Sequence, residues 1–124
     1  MISALSLAVG SVAGGFLRYF ISNLTARLWG NNFPYGTLIV NLSGCLLIGF
    51  LSSAFQGRFA LNPQVRLLLM VGFCGAFTTF SAFMLDTAGL IRGGAPLLAF
   101  LNIFTSVIVG FFLFWLGVIL GKVF

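Results

Sequence analysis

The sequence contains no histidine and no glutamate, and Asp86 is its single acid. One carboxylate cannot form the pair that acid–base hydrolysis uses, and the commonest proton-transferring side chain is missing altogether. The chain is therefore not expected to be an enzyme. Charged residues make up only 6 %, against about a quarter in a soluble domain, so this chain could not cover a water-facing surface. Its two cysteines, Cys45 and Cys74, stand alone in separate apolar runs. They lack the paired spacing of a metal site and suit the role of small buried hydrophobes. Disorder is excluded as well, because it needs low hydrophobicity and high charge density.

What is present is apolar. Hydrophobic residues make up 60 % of the 124, and mean hydropathy is +1.19. A chain of this length is expected to be one domain, residues 1–124, and the composition is that of a small integral membrane protein suited to a bacterial inner membrane. The net charge of +5 raises the question of nucleic acid. A nucleic-acid binder needs a clustered basic footprint, whereas here the six basic residues are scattered singly, so no such partner is expected. Basic residues beside apolar runs are ordinary flanks of membrane helices.

Four apolar segments can be read, at about 2–21, 37–55, 65–91 and 97–120. Each approaches or exceeds the ~20 residues that cross a bilayer core of ~30 Å. Short connections carrying turn formers separate them: Trp29–Tyr35, Gln56–Gln64 and Arg92–Pro96. The first segment lacks the basic start of a secretory leader, and its charge, Arg18, comes late. It is therefore expected to be a span. Arg58, Arg66 and Lys122 fall on one side of the membrane, Arg27 and Arg92 on the other, with Arg18 near that end of helix 1. So even a balance gives almost no orientation preference, and insertion both ways is expected.

Each segment carries small or polar residues on one face: Ser3, Ser6, Gly10, Gly14 and Arg18; then Thr37, Asn41, Gly44 and Ser52; then Asn102, Thr105 and Ser106, followed by Gly117-x-x-x-Gly121. Small residues at this spacing let membrane helices approach closely. Asn41 and Asn102 stand apart, since an amide in hydrocarbon must find partners and intramembrane polar groups often line a pathway.

The third segment is unusual. As one helix it would be about 40 Å long, and its middle reads Gly72-Phe-Cys-Gly-Ala-Phe-Thr-Thr-Phe-Ser-Ala-Phe83. Glycine and threonine are poor helix formers. Two readings stay open: a tilted helix with a close-packed centre, or a helix interrupted near Gly75 to Thr79. Interrupted backbone at membrane depth must be buried in protein or line a cavity, and its freed carbonyls suit a hard cation. Phe73, Phe77, Phe80 and Phe83 form an aromatic stripe, usually a packing feature. Phe80 and Phe83, however, flank Ser81 beside Thr79, and ring edges carry positive potential. Rings and hydroxyls together could hold a small anion. Asp86, one turn on, is a candidate simply as a lone intramembrane acid, with pairing to an arginine as the alternative.

These residues carry a resemblance. Gly15-Phe-Leu-Arg18, Gly36-Thr-Leu-Ile-Val-Asn41-Leu-Ser-Gly44, and Gly75-Ala-Phe-Thr-Thr-Phe-Ser81 with Phe83 make the chain similar, over essentially its whole length, to the small fluoride channels called Fluc or CrcB. The resemblance implies an all-α membrane protein of four transmembrane helices, with helix 3 broken near its middle, forming an antiparallel, dual-topology homodimer with two fluoride pores. It implies a structural sodium ion at the dimer centre, held by backbone carbonyls of Gly75 and Thr78. It implies a fluoride pore at Asn41, Phe80 and Phe83, a polar track of Thr37, Thr79, Ser81, Asp86 and Ser106, and a structural charge at Arg18. The expected partners are fluoride, a second copy and the lipid bilayer.

The chain also departs from the family pattern. Asp86 stands where glutamate is common, Ala82 where a second hydroxyl follows the serine, and Asn102 where helix 4 often has tyrosine. The expected function is passive export of fluoride, lowering its level in the cytoplasm. A small four-helix drug/proton antiporter would need a membrane carboxylate, typically in helix 1, and Arg18 stands there without an acid. A structural subunit of a larger complex would need neither pore polar groups nor a helix break.

Overall fold

The computed structural model describes residues 1–56 and 62–124. The expected connection over Gln56–Gln64, with Arg58 in it, lies partly outside the described residues. The described residues form four long apolar helices: α1 (Ile2–Trp29), α2 (Tyr35–Ala54), α3 (Pro63–Arg92) and α4 (Pro96–Val123). Their ends follow local chemistry. Gly30, at φ 79°, ends α1 and donates its N–H to the Ala26 carbonyl at 3.0 Å, a conformation glycine adopts without steric cost. Asn62 caps α3 by accepting the Gln64 N–H at 2.9 Å, and Pro63 and Pro96 occupy first turns, where a missing N–H costs nothing.

α1 runs past Ile21 through Ser22–Trp29. Its 28 residues span about 42 Å, longer than a hydrocarbon core. The polar Ser22, Asn23, Thr25 and Arg27 therefore belong to a helix end rather than a loop. α3 is not uniform. Leu67–Cys74 winds in wide π-helical turns. Past Phe77 the backbone becomes extended at Thr78 (φ −90°, ψ 154°) and Thr79 (φ −152°, ψ 123°), and helix resumes over Phe80–Arg92. A second π-helical stretch, Thr105–Val109, lies mid-way along α4.

The helices meet in two close pairs, each made by glycine. α1 lies on the first half of α3, where a Cβ at Gly10 would overlap the Leu68 carbonyl and one at Gly14 the Phe73 carbonyl. α2 lies on α4, where a Cβ at Gly117 would strike the Leu46 carbonyl and one at Gly49 the Phe114 carbonyl. Backbones this close gain dispersion contacts that larger residues would prevent. Val40, Cys74, Phe77 and Phe83 fill the interior, while Phe16, Phe100, Phe111, Phe112 and Trp115 face outward. Such an apolar exterior would be a liability in water and is what hydrocarbon solvates.

A contrast follows. Gly117→Ala should destabilise the folded protein by about 1–3 kcal/mol through overpacking. Gly89→Ala, where a Cβ meets nothing within 4 Å, should be neutral or slightly stabilising. Thermal unfolding of detergent-solubilised protein checks this, and equal midpoints for the two variants would remove glycine contact as the basis of the α2–α4 pair.

Candidate functional site

The site begins with a backbone problem. Two extended residues within α3 leave peptide groups without helical partners, and in a membrane each must be satisfied inside the protein. In a continuous helix the Thr79 N–H would bond to the Gly75 carbonyl. Here it donates to Asn41 Oδ1 at 3.0 Å, while Asn41 Nδ2 donates to the Thr79 carbonyl at 3.2 Å. The Asn41 amide thus pairs with Thr79 as a neighbouring strand would. Thr78 keeps both its N–H and its hydroxyl on the Cys74 carbonyl, at 3.0 and 2.8 Å. Thr79 Oγ1 accepts the Ala82 N–H at 3.3 Å, capping the resumed helix, and lies 3.3 Å from Ser81 Oγ.

α2 can approach so closely because of Gly44, where a Cβ would overlap the Thr78 methyl. Between α2 and α3 lies a cavity of about 370 Å³, lined by Asn41, Gly44, Gly75, Thr78, Thr79 and Phe80 among others. Phe80 is 73 % exposed and Phe83 only 6 %. Their rings stand 5.9 Å apart at 53°. One turn along α2 from Asn41, the Thr37 hydroxyl donates to Asp86 Oδ2 at 2.6 Å. This pair lines a smaller recess of about 130 Å³ with Ser22, Thr25 and Tyr35. Among the described residues Asp86 pairs with this hydroxyl and with no arginine.

The predicted residues therefore fall into groups. Asn41, Gly75, Thr78, Thr79 and Phe80 surround one cavity. Thr37 and Asp86 form a second station, Phe83 packs behind Phe80, and Ser81 touches Thr79. Ser106 sits in the π-helical turn of α4 with its hydroxyl oxygen buried and no partner among the described residues. Arg18 is not brought to these groups; it lines a separate surface recess with Ser11, Gly15 and Tyr19. One residue escaped the sequence reading. Thr87 is 5 % exposed; its hydroxyl donates to the Phe83 carbonyl at 2.7 Å and accepts from Asn102 Nδ2 at 3.0 Å. Only the need of a buried amide at 102 for a partner pointed towards it.

Four helices long and apolar enough to cross a bilayer, with polar groups paired between them, define a multi-pass membrane protein. The chain belongs to the CrcB family: residues 5–118 match the family described as CrcB-like protein, Camphor Resistance (CrcB). It is similar to proteins named fluoride-specific ion channel FluC. The relative from Maridesulfovibrio salexigens is 42 % identical over 95 % of this chain and 94 % of its own length. That from Coxiella burnetii is 44 % identical over 97 % and 98 %. That from Methylococcus capsulatus is 41 % identical over 98 % of this chain but 53 % of its own length, so the chain spans about half of that protein.

Proposed function

We propose that this protein is a fluoride-selective, passive anion channel in a bacterial inner membrane, built as an antiparallel homodimer. The carrying observation is the reciprocal pairing of Asn41 with Thr79. It holds non-helical backbone open beside a cavity that includes Phe80, in a chain whose relatives are named fluoride-specific ion channels. A primary amide has two N–H donors. One is committed to Thr79, and the other can replace water around an anion. Fluoride is small and strongly hydrated, so a path for it must offer donors at close quarters. Thr79 and Ser81 hydroxyls and the positive edges of Phe80 and Phe83 supply them without a full positive charge.

The direction follows from chemistry outside the protein. Hydrogen fluoride crosses membranes and dissociates inside, trapping the anion. A negative interior then drives the anion out with about 2.3 kcal/mol per charge per 100 mV. No side-chain catalysis is needed.

The residues also suit a structural sodium ion. Gly75 is exposed and has no side chain. Its carbonyl has lost its helical donor to Asn41, and the extended Thr78 carries its carbonyl out of the ladder. Carbonyl oxygens are what hard cations take, and since one chain offers two, a second copy would complete the set.

The test is efflux from proteoliposomes loaded with potassium fluoride, with valinomycin added and a fluoride electrode outside. Fluoride is expected to leave far faster than from protein-free vesicles, chloride is not, and Phe80→Ile should slow it sharply. Fluoride release no faster than from empty vesicles would overturn the proposal.

A further inference from the structure

Behind the exposed Phe80, two buried groups that the pathway does not use directly, Thr87 and Asn102, connect to the backbone of Phe83. Phe83, Thr87 and Asn102 are 6 %, 5 % and 2 % exposed. Thr87 Oγ1 donates its one hydrogen to the Phe83 carbonyl at 2.7 Å, and Asn102 Nδ2 donates to the same Oγ1 at 3.0 Å. The bonds run from α4 across to the second half of α3 and end on the backbone of the residue whose ring meets Phe80. We propose that Asn102, acting through Thr87, is a positioning residue that sets the Phe83 ring against Phe80. The proposal rests on the reading of Phe80 and Phe83 as part of the fluoride path.

A helical threonine divides between two side-chain rotamers, because its hydroxyl can bond back to the preceding turn. A donor fixed on a neighbouring helix selects the rotamer whose lone pair faces it, and the hydroxyl hydrogen is then aimed at the Phe83 carbonyl. Threonine bonded back in this way bends a helix slightly, and the bend falls at Phe83. Asn102 suits the task because its amide is buried and donates to a single acceptor across the helix pair. Without that donor, Thr87 Oγ1 would be left with an unpaired acceptor in a dry interior, which is costly. The hydroxyl would re-aim, and the ring would lose its fixed place.

The alternative is a plain tie between α3 and α4, which would change stability and nothing else. Two readouts separate them: fluoride efflux per folded protein, and the fluorine NMR resonance of Phe83→4-fluorophenylalanine. Asn102→Leu removes the donor and Thr87→Val removes the hydroxyl at nearly constant volume. Each is expected to lower efflux about fivefold, the effect of one hydrogen bond, and to move or broaden the resonance in the same way. The double variant should be no worse than either single one, because the two act as one unit. Thr87→Ser, which keeps the hydroxyl, should restore both readouts.

If stability falls while efflux and resonance stay parental, the bridge is only a tie and the proposal fails. It fails too if the double variant shows summed effects or if Thr87→Ser does not restore. If Asn102→Leu does not fold, the comparison of Thr87→Val with Thr87→Ser decides. A parental chain that releases no fluoride would count against the channel reading instead, and the resonance alone would then decide the positioning role.

Discussion

Asn41→Asp is expected to fold, dimerise and carry no measurable fluoride. The aspartate keeps the acceptor for the Thr79 N–H, now 3.0 Å away, so the extended backbone retains half its support. It loses the donor that reaches the Thr79 carbonyl at 3.2 Å and puts a carboxylate oxygen there, facing a lone pair. It also sets a negative charge on a cavity shared with Phe80. Like charges about 4 Å apart at an effective dielectric near 20 repel by roughly 4 kcal/mol, and about 1.4 kcal/mol is already tenfold in rate. Asn41→Leu tests the other half, removing both bonds without adding charge. It should harm folding more than Asn41→Asp, because both the N–H and the carbonyl of the half-buried Thr79 lose their partners. Fluoride efflux with size-exclusion profiles of both variants checks the pair. An Asn41→Asp dimer conducting at the parental rate would remove Asn41 from the path.

The four spans were legible because twenty-residue apolar runs have few other uses, and the turn residues between them are local signals. The end of α1 was not. The apolar run stops near Ile21 and leaves residues 22–28 unassigned, yet a helix that outgrows the bilayer carries polar residues with no change of structure. Asn41, Thr79 and Asp86 could be chosen from the sequence because polar groups in so apolar a chain are few. Their pairings could not. Asn41 meets Thr79 across 38 positions and Thr37 meets Asp86 across 49, and no periodicity within one helix encodes which neighbour a side chain finds. The same holds for Thr87, which looks like filler until Asn102 is brought beside it. The glycines are an intermediate case. Their spacing announced close packing, but that Gly44 makes room for the Thr78 methyl depends on the extended backbone opposite it.

Gly75→Val and Thr78→Ala probe the proposed ion site from opposite sides. A Cβ at Gly75 meets nothing within 4 Å in its own chain, and the residue is helical, with φ −64° and ψ −37°. Valine there costs the single chain little, since the helix propensities of glycine and valine differ by only a few tenths of a kcal/mol. Any large effect must then come from something outside the chain, and the proposed occupants are a second copy and the ion between the two. Thr78→Ala is the converse. It deletes a hydroxyl bonded to the Cys74 carbonyl at 2.8 Å and the methyl that fills the space at Gly44, but leaves the Thr78 carbonyl in place. It should cost about 1 kcal/mol of stability and leave sodium dependence intact. Gly75→Val should abolish both the dimer and fluoride efflux, and replacing sodium with N-methyl-D-glucamine should weaken the parental dimer in the same direction. Subunit counting by single-molecule photobleaching in liposomes, with and without sodium, reads all three. A Gly75→Val protein that stays dimeric and conducts, or a parental dimer indifferent to sodium, would show that these carbonyls hold no ion between two chains.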